Sequence, residues 1–240
     1  MNVVAIMIGK HNSIGMPGKN TMNILGRPLC EYPLIAASES GRVCNMYVST
    51  DSPEIMKVAR RYKATVIERP PHLLLPENRS EHVYYHAYES ILAAGDIPDM
   101  VCLLYANAPF VTSGLIDEAV DKLSLRTEYD SCIGVYRADT FAAHRSIEVS
   151  STGDISPSVY ANGAKDINSD RSSGGGTYFV DTSLAVARSR CLDNPYSGTL
   201  PFVHLGKKRL AIEKDVGFDL DEKWQVAVII EYLKSQGFGV

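Results

Sequence analysis

Apolar positions along the chain fall into short unbroken runs, separated by stretches with helical spacing. "VVAIMI" (3–8), "MYVST" (46–50), "MVCLLY" (100–105) and "SCIGVY" (131–136) read as strands buried on both faces, because no polar residue alternates through them. Between them, "CEYPLIAASES" (30–40), "SPEIMKVARRY" (52–62), "SEHVYYHAYESILAAG" (80–95) and "TSGLIDEAVDKLSL" (112–125) read as helices. Ser80 suits an N-cap and Gly95 a stop in the third; Thr112 or Ser113 caps the fourth. Strand–helix alternation of this kind predicts right-handed crossovers and an α/β, doubly wound, mostly parallel sheet.

From about Arg137 to Ser173 the pattern fails, giving way to polar, turn-rich sequence without periodicity. Such an insert serves as a lid, an oligomer arm or a disordered segment. Regular structure resumes with "TYFVD" (177–181) and "RLAIE" (209–213). A last helix follows in "EKWQVAVIIEYLKSQ" (222–236), with Val226, Ile229, Ile230 and Leu233 on one face and Gly237 as the stop. Neither a repeat nor a linker divides the chain, which reads as one domain over 1–240.

Composition narrows the partners. A net charge of −4 without a basic block gives no footprint for nucleic acid. Five scattered cysteines without a CxxC pair suit a reducing cytosol and argue against structural zinc. The apolar runs are all too short for a membrane span, and the first lacks the basic flank of a signal peptide. These features predict a cytoplasmic protein.

The chemistry starts where the first strand ends, in "IGKHNSIGMPGKN" (8–20). Its spacing is neither the dinucleotide GxGxxG nor the GxxxxGK[ST] P-loop. Glycines let backbone N–H groups approach a polyphosphate, and lysines place movable charges on it. The plainer reading is a glycine-rich surface turn with two solvated lysines, and the loop alone leaves both open.

Other stretches bear on that choice. "GKHNSIGMPGKN" resembles the N-terminal signature of the CMP-acylneuraminate synthetases, the cytidylyltransferases that activate acidic sugars. The matching positions are Lys10, His11, Asn12, Ser13, Pro17, Lys19 and Asn20. "GRPLCEYPLIAA" (26–37), "VSTDSPEIMKVARRYKATVIERP" (48–70), "PDMVCLLYANAPFVTSGLIDEAV" (98–120) and "DVGFDLDEKWQVAV" (215–228) are similar to later motifs of that family. The resemblance covers roughly residues 1–136 and 215–237 and leaves the insert unmatched. Departures fall at Lys10, where the family has arginine, and at Ile14, where it has a basic residue. They also fall at Tyr105–Ala108 and Gly174–Tyr178, on the sugar side.

The resemblance implies a Rossmann-like nucleotide-diphospho-sugar transferase fold whose insert is a dimerisation arm or lid in a homodimer. It also implies transfer of CMP from CTP to a small acidic, nonulosonate-like sugar, with Mg²⁺ and release of pyrophosphate. Lys10 and Lys19 are then the catalytic charges. Gly9, Lys10, Asn12, Ser13, Gly18, Lys19, Asn20, Asp51 and Arg69 bind nucleotide, Tyr105, Asn107 and Tyr178 bind sugar, and Asp219 and Asp221 hold the metal. Plainer roles stand beside these: Asp51 as N-cap of the second helix, Asp221 as cap of the last, Asn107 as a turn residue and Arg69 as a loop charge. His82 and His86, an i, i+4 pair, lack a third zinc ligand. His144 and Arg145 bind an acidic substrate or lie in solvent, and Gly174–Gly176 form a hinge or a close backbone approach. The rival functions are nucleotidyl transfer to another acceptor, such as a sugar phosphate or phosphonate, and nucleotide binding with weak catalysis. A glycosyltransferase fits less well, since its D-x-D ends a central strand.

Overall fold

Strand β1 (Val3–Gly9) is buried along its whole length. Successive side chains enter opposite layers, as strand geometry requires: Val3, Ala5 and Met7 join one core cluster, Val4, Ile6 and Ile8 the other. The computed structural model describes residues 1–13, 15–75, 77–160, 168–170 and 175–239.

After β1 a small hairpin, β2 (Asn23–Ile24) and β3 (Arg27–Pro28), leads into α1 (Glu31–Ser38). β4 (Asn45–Thr50), α2 (Pro53–Arg61) and β5 (Thr65–Glu68) follow. The chain then crosses back through α3 (Ser80–Ala93) to β6 (Met100–Tyr105). α4 (Ser113–Ser124) and β7 (Ser131–Arg137) come next, then the hairpin β8 (Ile147–Val149) and β9 (Ile155–Pro157). The long β10 (Tyr178–Arg188), short α5 (Arg190–Asp193), β11 (Arg209–Lys214) and α6 (Gln225–Ser235) complete the order.

The main sheet runs β11-β7-β10-β6-β1-β4-β5. β1 pairs in parallel with both β4 and β6, and only β10 is antiparallel to its neighbours. The expected doubly wound, mostly parallel sheet is therefore present. Because the chain goes from β1 to β4 on one side and reaches β6 on the other, the ends of β1 and β6 form a switch point where a crevice opens.

Local expectations are settled one by one. Ser80 is the first helical residue rather than the cap, which is Arg79 without a side-chain bond. Thr112 is the cap of α4, its hydroxyl accepting from Leu115 N. The last helix starts at Gln225, three residues later than its pattern suggested. Gln225 Oε1 accepts from the N–H groups of Asp221 and Glu222, so Asp221 does not cap it. The 137–173 stretch is not wholly irregular: Arg137 ends β7, and two 3₁₀ turns (Asp139–Phe141, Ala143–Arg145) precede the β8–β9 hairpin. Ile14 and Gly174 lie outside the described residues.

Candidate active site

At the end of β1 the backbone must pass close to β6. A Cβ on Gly9 would stand 2.6 Å from Ala106 Cβ and 3.0 Å from Ile55 Cδ1, so only glycine fits. The loop beyond is tied at three places. Asn20 Nδ2 donates to Lys10 O at 2.8 Å, Asp51 Oδ1 accepts from His11 N at 2.8 Å, and Cys30 N donates to Asn20 O at 2.9 Å. Gly18, at φ 75°, turns the chain into the 3₁₀ turn Lys19–Thr21. These ties make the loop a fixed wall rather than a free surface turn.

That wall bounds a cleft of about 360 Å³. Gly9, Lys10, Ser13, Lys19 and Asn20 line one side, and Tyr105, Asn107 and Asp219 line the sheet end. Arg69 enters from beyond β5, and Leu73–Leu75, Asn78, Arg79, Ser80 and Val83 close the far side. Asp221 stands half exposed near this cleft, where Lys19 Nζ forms an ion pair with its Oδ1. Asn107 is buried; its Nδ2 lies 3.2 Å from both Asp219 Oδ2 and Leu220 O, while its carbonyl accepts from Leu220 N at 2.8 Å.

Electrostatics divide the cleft. Burial, with Asp221 beside it, raises the Asp219 carboxyl above its ordinary value, while Asn107 and Lys19 pull it back. Burial lowers the Arg69 guanidinium, which Asp51 partly restores. Arg69 Nη2 donates to Ser49 O at 3.0 Å, but its buried Nε has no partner among the described residues. A buried donor left unpaired is costly, so this cation is suited to an anion or carbonyl arriving from the cleft. Burial likewise pushes the Tyr105 phenol up.

Most residues expected at the site are thus brought together: Gly9, Lys10, Ser13, Lys19, Asn20, Arg69, Tyr105, Asn107 and Asp219 at the cleft, with Asp221 paired to Lys19. Gly18 shapes the loop. Asn12 is exposed and does not line the cleft. Asp51 does not line it either; it braces His11, and the cap of α2 is its neighbour Ser52, whose Oγ accepts from Ile55 N. Tyr178 does not line the cleft. β10 begins along β7 alone and joins β6 only from the Ala185–Leu103 pair onward, which places Tyr178 beside Arg137 and Glu213 over a separate groove. His82 pairs with Asn78, and among the described residues no cluster of three His, Cys, Asp or Glu side chains forms. His144 and Arg145 lie on the second 3₁₀ turn, Arg145 Nη1 donating to Ser169 O. Sequence reasoning missed the far wall of Leu73–Leu75, Asn78, Arg79, Ser80 and Val83, which the paired prolines Pro70 and Pro71 precede.

The sheet order, the braced loop after β1 and the crevice at the switch point define a doubly wound α/β protein of the Rossmann-like class. The sequence profile of the cytidylyltransferase family matches residues 4–190, and the chain belongs to that family. It is 32% identical over 123 residues to the pseudaminic acid cytidylyltransferase of Campylobacter jejuni, covering 51% of this chain and 53% of that one. It is 30% identical over 131 residues to the CMP-N,N'-diacetyllegionaminic acid synthase of Legionella pneumophila, covering 50% and 53%. The N-acylneuraminate cytidylyltransferase A of Danio rerio is 28% identical over 158 residues, covering 65% and 34%. The chain therefore spans about half the length, or less, of the curated relatives it matches. A CMP:2-keto-3-deoxy-manno-octonic acid synthetase solved with CTP superposes with a TM-score of 0.71 at 13% identity, covering 98% of this chain and all of that one, and shows the shared fold.

Proposed function

We propose that the protein is a CTP-dependent nucleotidyltransferase that joins CMP to an acidic, nonulosonate-like sugar and releases pyrophosphate. The observation that carries this reading is the Lys19–Asp221 pair beside the cleft, with Asp219 at its sheet end. A basic loop and two carboxylates facing each other suit a polyphosphate with a divalent cation. Family membership and the acidic-sugar relatives support both the base and the acceptor class.

In the reaction, a sugar hydroxyl attacks the α-phosphorus in line and pyrophosphate leaves. Such transfers need positioning and positive charge more than covalent help from the protein. Lys10 and Lys19 supply charge to the triphosphate, and Arg69 offers its unpaired Nε to the nucleotide. Asn107 holds Asp219 in place through its amide. Asp219 and Asp221 fit Mg²⁺: they are hard oxygen donors, and Asp219 is a partly buried carboxyl whose charged form a cation would stabilise. Bound there with the triphosphate, Mg²⁺ would neutralise charge on the phosphates. The Lys19 ammonium would be available to a triphosphate and the Asp221 carboxylate to a cation, the two groups that the ion pair now holds together.

The protein also acts as a homodimer through the β8–β9 hairpin. Ile147, Val149 and Ile155 are each more than half exposed there, an apolar surface suited to a second copy that covers the sugar end. Among the described residues no helix is long and apolar enough to cross a membrane. All five cysteines are free, four of them buried, which suits a reducing, cytoplasmic setting.

A panel of nucleoside triphosphates and sugar acids, with pyrophosphate release measured, tests the reaction. Release with CTP and a nine-carbon acid is the expected result. Release only with another acceptor, or none with any pair, contradicts it.

A further inference from the structure

Behind the cleft lies a buried ion pair that the proposed reaction does not use. Lys214, at the end of β11, meets Asp181 of β10, and both side chains are almost wholly enclosed. The ammonium has three donors and finds three acceptors: Asp181 Oδ2, the Phe110 carbonyl and, at 2.6 Å, Ser183 Oγ. The Ser183 hydroxyl lies 2.8 Å from Phe110 O and also meets Asp181 Oδ2, while Ser183 N donates to Asp181 Oδ1 at 2.9 Å. This knot sits where the β10–β7 register breaks between Asp181 and Ala185. A buried ion pair is weak support for stability, because desolvation offsets the attraction. Its placement points to another role.

The segment leading from Lys214 to the last helix carries Asp219 and Asp221, and it is laid directly on the knot. At Gly217 a Cβ would overlap the Asp181 carboxylate, so backbone and carboxylate touch there. Two residues on, Asp219 Oδ1 lies 3.5 Å from Thr182 Oγ1, a member of the same irregular stretch. Phe110, whose carbonyl joins the knot, packs against Phe218 with ring centroids 4.5 Å apart and planes tilted by 57°. Three consecutive contacts therefore run from the knot into the carboxylate segment, at Gly217, Phe218 and Asp219.

We propose that Asp181, Ser183 and Lys214 are positioning residues for the carboxylate segment: they fix the backbone at Gly217 and so set where Asp219 and Asp221 meet a nucleotide-bound divalent cation. Lys214 also neutralises Asp181, sparing the two carboxylates a third negative charge nearby. The inference rests on the proposed reading of the cleft.

The test is Mn²⁺ binding in the presence of CTP, followed by the spin-resonance signal of free Mn²⁺, alongside CTP binding without metal and thermal melting. In the double variant Asp181→Asn/Lys214→Met, and separately in Gly217→Ala, the Mn²⁺ dissociation constant rises about tenfold to a hundredfold, the scale of outer-shell effects on metal sites. Metal-free CTP binding stays as in the wild type. Ser183→Ala keeps both charges and decides the matter should the other two not fold; it shifts Mn²⁺ affinity by about threefold, the low end of coupling between contacting residues. Thr112→Ala, which loses the α4 cap, lowers the melting temperature but leaves Mn²⁺ affinity alone. Wild-type Mn²⁺ affinity in the folded knot variants, or affinity that merely follows melting temperature across all four, overturns the inference while leaving the reaction standing. Absence of CTP-dependent Mn²⁺ binding by the wild type overturns both.

Discussion

The β1–β6 switch point and the hairpin insert solve the same problem in opposite ways. Around the switch point three polar side chains tie the backbone: Asn20 to Lys10, Asp51 to His11, and Asn107 to Leu220. The strands beneath are buried on both faces, so the cleft is held rigid by the chain's own core. The β8–β9 hairpin has two three-residue strands and leaves Ile147, Val149 and Ile155 open to solvent. A lone two-stranded hairpin is marginal in water and needs something to pack against. One region carries its chemistry on a finished scaffold; the other presents apolar surface suited to a second copy. Binding of nucleotide and association of chains should therefore be separable.

The largest effect should come from the carboxylates. Asp219→Asn and Asp221→Asn each lower Mg²⁺-supported pyrophosphate release by roughly a hundredfold or more, the scale seen when one preorganised charge contact is removed from a site. Circular dichroism should show the fold unchanged, and chelation of Mg²⁺ in the wild type should match the variants. Full activity in either variant would detach the segment from the site.

Next, charges on the hairpin should break the comparison from the other side. Ile147→Glu with Val149→Glu and Ile155→Glu should convert the proposed dimer to monomer by sedimentation while CTP binding persists, since none of the three lines the cleft. A wild type that sediments as a monomer would remove the role given to the insert.

A smaller effect follows from Asp219 itself. Its carboxyl is raised by burial and by Asp221. For a raised group the stability contribution is fully present below the ordinary carboxylate range and lost as pH rises through the folded-state value. Without nucleotide or metal, Asp219→Asn should therefore melt above the wild type at neutral pH. The gap should close as pH falls toward about 4, the ordinary carboxylate range. Adding Mg²⁺ with CTP should narrow it at neutral pH by favouring the wild-type carboxylate. An Asp219→Asn variant that melts below the wild type at neutral pH would contradict the assignment of a penalised charge.

The smallest concerns the scaffold alone. Ser52→Ala removes the α2 cap and should cost about 1 kcal/mol of stability in denaturant titration, leaving the metal response intact. A loss of Mg²⁺ response there would mean the scaffold is less rigid than the ties suggest.

The same contrast explains what could be read from the residues alone. β1, β4, β6 and β7 were legible because strands buried on both faces need unbroken apolar runs. Gly9 and Lys19 were legible through their place after such a run. β5, only four residues with exposed ends, left no comparable run, and its role in placing Arg69 was invisible. Asp51 and Ser52 are adjacent residues that both suit a cap, and only backbone geometry chose Ser52. That Tyr178 lies away from the cleft was not legible, because nothing in "TYFVD" shows that β10 runs antiparallel and meets β6 only at its far end. The Lys214–Asp181 pair joins residues far apart in sequence across two strands, a contact that local pattern cannot encode.

Calorimetric titration of CTP into the wild type and Lys19→Ala, with Mg²⁺ present, tests the central claim most directly. Loss of a charge-assisted contact of about 1.5–3 kcal/mol predicts CTP affinity falling by roughly tenfold to a hundredfold, in a protein that melts as cooperatively as the wild type. Equal CTP affinity in the two proteins would contradict the account and return the loop after β1 to a solvated turn.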